Sequence, residues 1–303
     1  MIRQLERRHY KIGGSTKYYI DCGKYAETTG DIKVEGILQE KNDISVLHAI
    51  ASDDTIHSKY RHIVVKIDRA DKTNRKEYDI GERMFRSRIP GFMRYICIFP
   101  CYDTHPHEIS GRICQAEKIE SNKKDVLVMP YLSEGSIEKY PWDESNLPIL
   151  KCLLMQTVMS TLNAYTNLKF LHIDLHLGNI LIRKTKKPEI DYVIGTKIYS
   201  IPTMGYKIVI TDFGNSMIPV EYEHQRYYWF DLLNVFSRIN LDLDPSNGQK
   251  IVWDEDRVID FVKDARDANA SPIEAMQLLR IIRDSTFRFD IMPPTTYNPN
   301  VFG

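Results

Sequence analysis

Along the first 130 residues the apolar positions come in short alternating runs. Residues 17–20, 44–50, 62–67 and 125–129 are rich in Val, Ile and Tyr and predict strands. One stretch breaks that rhythm. Between residues 74 and 88, Ile80, Met84 and Phe85 recur at helical spacing, and Pro90 and Gly91 follow as a stop signal. After Pro148 the period becomes helical again. Leu150, Leu153, Leu154, Val158, Met159, Leu162 and Tyr165 predict one long helix with a buried face. Two strand-like runs follow at 180–182 and 206–210. From Tyr227 onward the chain reads helical, at 232–239, 257–265 and 272–283, and Pro293, Pro294 and Pro299 mark a non-helical tail. The pattern is therefore α+β. A strand-rich half, residues 1–132, precedes a helix-rich half, residues 133–303, with a hinge at 130–136. A cleft at such a hinge is a natural ligand site.

Composition narrows the function classes more than the fold. The chain of 303 residues is 43% hydrophobic and 27% charged, ordinary values for a globular protein. Lys+Arg and Asp+Glu both total 41, so global charge argues for neither a nucleic-acid nor a membrane partner. Lys184, Lys186 and Lys187 read as solvated loop charges. No apolar run approaches the roughly 20 residues of a membrane helix. The charged stretch from Met1 through Arg8 has no signal-peptide core. Five scattered cysteines fit a reducing compartment, so an intracellular, cytoplasmic protein is expected. Cys97, Cys101, His105, His107 and Cys114 raise the alternative of a zinc site, but their spacing matches no common finger, which favours buried or loop residues.

The candidate chemistry lies in two segments. One is His172-Ile173-Asp174-Leu175-His176-Leu177-Gly178-Asn179, followed by a strand. The other is Thr211-Asp212-Phe213-Gly214, preceded by a strand. Phosphoryl transfer asks little covalent chemistry of an enzyme. It needs cations held against phosphates and a carboxylate to orient the attacking hydroxyl. Asp174 can accept the hydroxyl proton, while the Asn179 amide oxygen and the Asp212 carboxylate suit a hard cation such as Mg²⁺.

These segments resemble the protein-kinase superfamily, whose catalytic loop reads H-R-D-L-x-x-x-N and whose metal loop reads D-F-G. The resemblance implies a bilobal fold with a strand-rich N-lobe and a reduced helical C-lobe, and it implies ATP with Mg²⁺ held by Asn179 and Asp212. It makes Asp174 the catalytic base and sets His176 where a phosphate-contacting Lys usually stands. The run Ile63-Val64-Val65-Lys66 is similar to the strand V-A-I-K, so Lys66 would grip the α/β-phosphates. Its partner would be Glu77 or Glu82 on the next helix, with Glu77 preferred on its core-facing spacing. The run from Leu127 to Leu132 resembles the adenine hinge. Met129 would then be the gatekeeper and Tyr131 a neighbour of the base; an edge strand with a core Met is the plain alternative. Asp231 resembles a buried Asp that braces the catalytic loop.

The departures matter too. Ile173 replaces the loop Arg, which removes the usual receptor for activation-segment phosphorylation. A phosphate-covering loop is degenerate: Gly13-Gly14-Ser15 lies far upstream of Lys66, with a site near Gly36 as the other option. Residues 184–205 form an insertion, whose Ile201-Pro202-Thr203-Met204-Gly205-Tyr206 is similar to an element of kinases of large DNA viruses. The segment from Asp212 to Asp231 is short and lacks A-P-E. The expected activity is a protein Ser/Thr kinase with a protein substrate. A small-molecule kinase of the aminoglycoside or choline type, and a nucleotide-binding pseudokinase scaffold, are the alternatives.

Overall fold

A computed structural model describes residues 9–11, 17–19, 32–41, 44–51, 62–68, 73–102, 123–219, 225–239, 242–243, 249–253 and 255–291. The chain divides into two units. The first comprises residues 1–86 and 93–132, and the second residues 87–92 and 133–303.

In the first unit, β1 (His9–Lys11) and β2 (Lys17–Tyr19) pair antiparallel. The main sheet has five antiparallel strands: β3 (Ile32–Lys41), β4 (Ile44–Ala51), β5 (His62–Asp68), β6 (Cys97–Tyr102) and β7 (Lys123–Pro130), in the order β3-β4-β5-β7-β6. Period-2 alternation sends Leu47, Ala49, Ile63, Val65, Ile67, Val126 and Val128 to one face, where they pack with Val34, Ile96, Cys97 and Phe99. On the other face Lys66 stands between Val46 and Leu127 on the neighbouring strands. The helix α1 (Thr73–Arg86) buries Tyr78, Ile80 and Met84 together with the carboxylates Glu77 and Glu82, and exposes Arg75, Lys76, Asp79, Arg83 and Arg86.

Two strands escape the alternation test for physical reasons. In β3 the register shifts twice, between Val34 and Gly36 and again between Ile37 and Gln39, so apolar and polar positions fall out of phase. β6 carries Pro100, which a central strand would reject, but β6 is at the edge of its sheet. Of the two sites considered for a phosphate-covering loop, Gly13-Gly14-Ser15 lies outside the described residues. Gly36 lies inside β3, opposite His48, and only Asn42 and Asp43 separate β3 from β4.

In the second unit, α2 (Leu147–Leu168) is buried almost all round, from Leu150 to Tyr165. Pro148 sits at its start, where its missing N–H costs nothing. Lys169 ends it in the left-handed conformation (φ 57°), with its N–H on the Tyr165 carbonyl at 2.8 Å. β8 (Ile180–Lys184) pairs antiparallel with β11 (Tyr206–Ile210). Between them the insertion folds as a hairpin of β9 (Glu189–Ile194) and β10 (Lys197–Pro202). The fully buried Gln156 of α2 fastens it: Nε2 donates to the Pro202 and Tyr206 carbonyls (3.3 and 3.2 Å), and Oε1 accepts from Ile208 N–H at 3.1 Å. Gly91 also joins this unit, where its carbonyl accepts from Ile210 N–H at 2.8 Å. Its φ of +86° suits glycine, and a Cβ there would collide with Ser160.

The remainder corrects the all-helical expectation past Tyr227. The helices α3 (Gln225–Phe236), α4 (Glu255–Asp267) and α5 (Ala275–Asp284) form, but β12 (Asp242–Leu243), β13 (Gln249–Trp253) and β14 (Phe287–Ile291) make a three-stranded sheet. Each of these strands is too short for periodicity to separate it from helix, and β14 gains its partners only from β13, over thirty residues upstream. Among the described residues no helix is long and apolar enough to cross a membrane.

Candidate active site

In the first unit, Lys66 and Glu77 meet. Lys66 Nζ donates to Glu77 Oε2 at 2.7 Å, with Lys66 only 7% exposed and Glu77 fully buried. A buried ammonium needs such a partner, because desolvating either ion alone is expensive. Tyr95 donates its hydroxyl to Glu77 Oε1, so both carboxylate oxygens are engaged. Asn74 steadies the start of α1 from its buried side chain, donating to the Lys66 and Asp125 carbonyls at 3.2 and 2.7 Å. Glu82, the other glutamate considered, lies 3.6 Å from Arg86 one turn along the helix. Met129 is buried opposite Val64 in the β5–β7 ladder. Tyr131 donates its N–H to the His62 carbonyl at 3.2 Å, so that group is committed inside the sheet. Its ring stacks on His48 at 4.2 Å.

In the second unit, Asp174, His176, Asn179 and Asp212 come together through backbone pairing. The β8–β11 ladder ends at Ile180 opposite Ile210, and Thr211 N–H continues it onto the Asn179 carbonyl at 3.0 Å. Asn179 and Asp212 are thereby brought to the same end of one ribbon. Asn179 Nδ2 donates to the Asp174 carbonyl at 3.0 Å, which leaves its Oδ1 as the atom for a cation. Asp212 adopts φ 65°, a left-handed conformation that Asp tolerates better than most residues. Behind it Phe213 is fully buried against Phe92, Phe170 and His172, with ring centroids 5.9–6.0 Å apart.

The catalytic-loop candidate is stapled from beneath. Asp231 of α3, 3% exposed, accepts from His172 N–H (2.8 Å) and Ile173 N–H (3.2 Å) on one oxygen. Ile173 has φ 70°, a strained value for a β-branched residue, and these bonds hold it there. Burial pushes the Asp231 carboxyl up to about 7, against the opposing pull of the backbone N–H groups it accepts from. His172 Nε2 donates to the Thr211 carbonyl at 2.9 Å, and burial holds its ring below the ordinary histidine range. A short antiparallel bridge, Leu171 to Met217 at 2.9 Å in both directions, ties the segment after Gly214 to the loop. Ser216 adds its hydroxyl on the His172 carbonyl at 3.2 Å.

His176 folds back over Gly178, whose N–H donates to His176 Nδ1 at 3.1 Å. In the neutral ring the proton therefore sits on Nε2, which is left as a donor. A side chain at position 178 would strike the His176 ring and Glu138, which accounts for the glycine. Asp174 itself is exposed, and Asn215 Nδ2 donates to its Oδ2 at 3.3 Å.

The match to a known domain family covers the segments of the second unit just described. Residues 118–241 match the ABC1 atypical kinase-like domain. The Bos taurus serine/threonine-protein kinase haspin is 39% identical over 69 residues, which is 23% of this chain and 9% of haspin. The Mus musculus haspin is 35% identical over 77 residues, 25% of this chain and 10% of haspin. The chain thus spans about a tenth of the length of the curated relatives it matches. These similarities support a place in the protein-kinase-like superfamily. The α+β architecture, with an antiparallel sheet in the first unit and helices in the second, fits the bilobal fold of such kinases.

Sequence reasoning overlooked Tyr95, Asn74 and Asn215. Tyr95 sits in an apolar run and carried no polar signal of its own. Asn215 carried one, being the residue directly after Asp212-Phe213-Gly214. Of the cysteines and histidines weighed for zinc, Cys97 is buried in β6. Cys101 lies in the same strand, and His105, His107 and Cys114 fall outside the described residues. Among the described residues no cluster of three or more His, Cys, Asp or Glu could hold a metal.

Proposed function

We propose that this protein transfers the γ-phosphoryl group of ATP to serine or threonine hydroxyls of a protein substrate, with Mg²⁺. The observation that carries the reading is the single ribbon end at which Asp174, Asn179 and Asp212 meet, with the Asn179 amide nitrogen already engaged and its oxygen left over. Asn179 and Asp212 supply oxygen donors of the kind Mg²⁺ takes, and two protein donors are too few for six-coordination. The rest would come from phosphate oxygens and water, as in a site built around a nucleotide. Bound there, the cation would neutralise charge on the phosphates.

Asp174 orients the acceptor hydroxyl and takes its proton. The acceptor oxygen bonds to the γ-phosphorus as the bond to the β,γ-bridging oxygen breaks, and ADP leaves with that electron pair. His176, through its Nε2–H, donates to a phosphoryl oxygen. Lys66, oriented by Glu77, binds the α- and β-phosphates; Met129 and the backbone near Tyr131 border the base. The protein expected is intracellular, with a protein partner rather than nucleic acid or membrane, and the element around Ile201–Tyr206 supports kinship with kinases of large DNA viruses.

One observation favours a second reading, a small-molecule kinase: His176 in place of the loop Lys, together with the short stretch from Asp212 to Asp231. Labelled ATP with Mg²⁺, offered casein, basic protein and small hydroxyl compounds, separates the two. Label on protein Ser or Thr, lost in Asp174→Asn, supports the proposal. Label only on a small molecule supports the second reading, and nucleotide binding without transfer rejects both. Asp212→Ala is expected to abolish magnesium-dependent nucleotide binding, while Asp174→Asn leaves it intact.

A further inference from the structure

Asn215 is the side chain that touches the proposed base and that the reaction scheme above leaves without a task. Its amide donates to Asp174 Oδ2 at 3.3 Å, and no described residue donates to Oδ1. An exposed carboxylate on an otherwise free rotor samples several orientations; a donor on one oxygen selects one of them and aims the other oxygen outward. The backbone that carries the donor is anchored on both sides. On its N-terminal side lies the buried Phe213, and on its C-terminal side Ser216 and Met217 bond back to His172 and Leu171. The Asn215 backbone is therefore held beside the catalytic loop, within side-chain reach of Asp174.

We infer that Asn215 is a positioning residue that holds the Asp174 carboxylate with Oδ1 toward the acceptor hydroxyl. The inference rests on the phosphotransferase reading and goes beyond it, since it assigns the orientation of the base to a side chain outside the two signature motifs. An amide is suited to the task. It donates a neutral hydrogen bond that orients the carboxylate, where a Lys or Arg would add a cation that competes with the proton to be accepted.

The test compares Asn215→Asp and Asn215→Leu with wild type in steady-state phosphoryl transfer, with ATP titrated at saturating acceptor. Asp keeps the shape and turn preference of Asn but loses the donor and sets a like charge beside Asp174. Leu loses the donor alone. The expected result is kcat lowered about tenfold in Leu and further in Asp, with KM for ATP unchanged in both. A purely structural Asn would show the reverse order, with Asp near wild type and Leu impaired in stability. Asp at wild-type kcat, or KM for ATP rising in step with the loss, overturns the inference while leaving the phosphotransferase reading intact. A wild-type protein that binds nucleotide and transfers nothing removes that reading, and this inference with it.

Discussion

Asp231 makes the stability of the second unit depend on pH in a direction opposite to that of most carboxylates. Burial holds its folded-state pKa at about 7, whereas in an unfolded chain an Asp titrates near 3.9. The folded state thus binds a proton that the unfolded state has released. Stability from this group is fully present below the unfolded pKa and is lost as pH rises through the folded one. A shift of about three units amounts to about 4 kcal/mol across the whole window. Some 2 kcal/mol of that falls between about pH 5.5 and 8.5, with the remainder toward pH 4. Asp231→Asn keeps an oxygen for the His172 and Ile173 N–H groups and cannot ionise. Urea denaturation of both proteins across this range isolates the one carboxyl. The wild type is expected to lose about 2 kcal/mol relative to the Asn variant as pH rises from 5.5 to 8.5. A wild type that instead gains on the variant with rising pH would mean the two N–H groups outweigh burial, and would refute the reasoning.

Glu77→Gln removes the negative charge 2.7 Å from the buried Lys66 ammonium and is expected to cost about 3–5 kcal/mol in chemical denaturation; Lys66→Met with Glu77→Leu should cost clearly less than the two single changes added. Gly91→Ala combines a left-handed backbone with a collision against Ser160, for a loss of about 2–4 kcal/mol by thermal unfolding. In a Ser160→Gly background the same change should fall to the backbone part, about 1 kcal/mol. Gln156→Met leaves three buried backbone groups without their partner and should destabilise by about 2–4 kcal/mol, with amide exchange quickening first at Ile208.

Much of this molecule was legible in its residues. The helical spacing of Leu150 through Tyr165 became α2, and the strands at 180–182 and 206–210 became the β8–β11 ladder, because long periods and buried strands leave marks within a few residues of one another. The same local marks set Asp174 and Asn179 five residues apart on one loop. Features built from distant chain segments left none. β14 exists only against β13, and β3 hides its alternation behind two register shifts. Asp231 was legible as a brace through resemblance alone, since nothing in its surroundings along the chain signals two amide partners at positions 172 and 173. Tyr95 looked like another apolar-run residue until the fold set it on Glu77.

The hairpin of residues 185–205 departs from and returns to the ladder at one rung. Lys184 faces Tyr206, and Thr185 N–H already closes onto the Gly205 carbonyl at 2.8 Å. The excursion is in effect a side branch, spliced in where a two-residue turn would serve. Tyr192 is fully buried and Asn163 Nδ2 donates to the Val193 carbonyl at 3.1 Å, so the body of the branch is anchored, while its exposed turn at residues 195–197 can change without moving the rungs that carry Asn179 and Asp212.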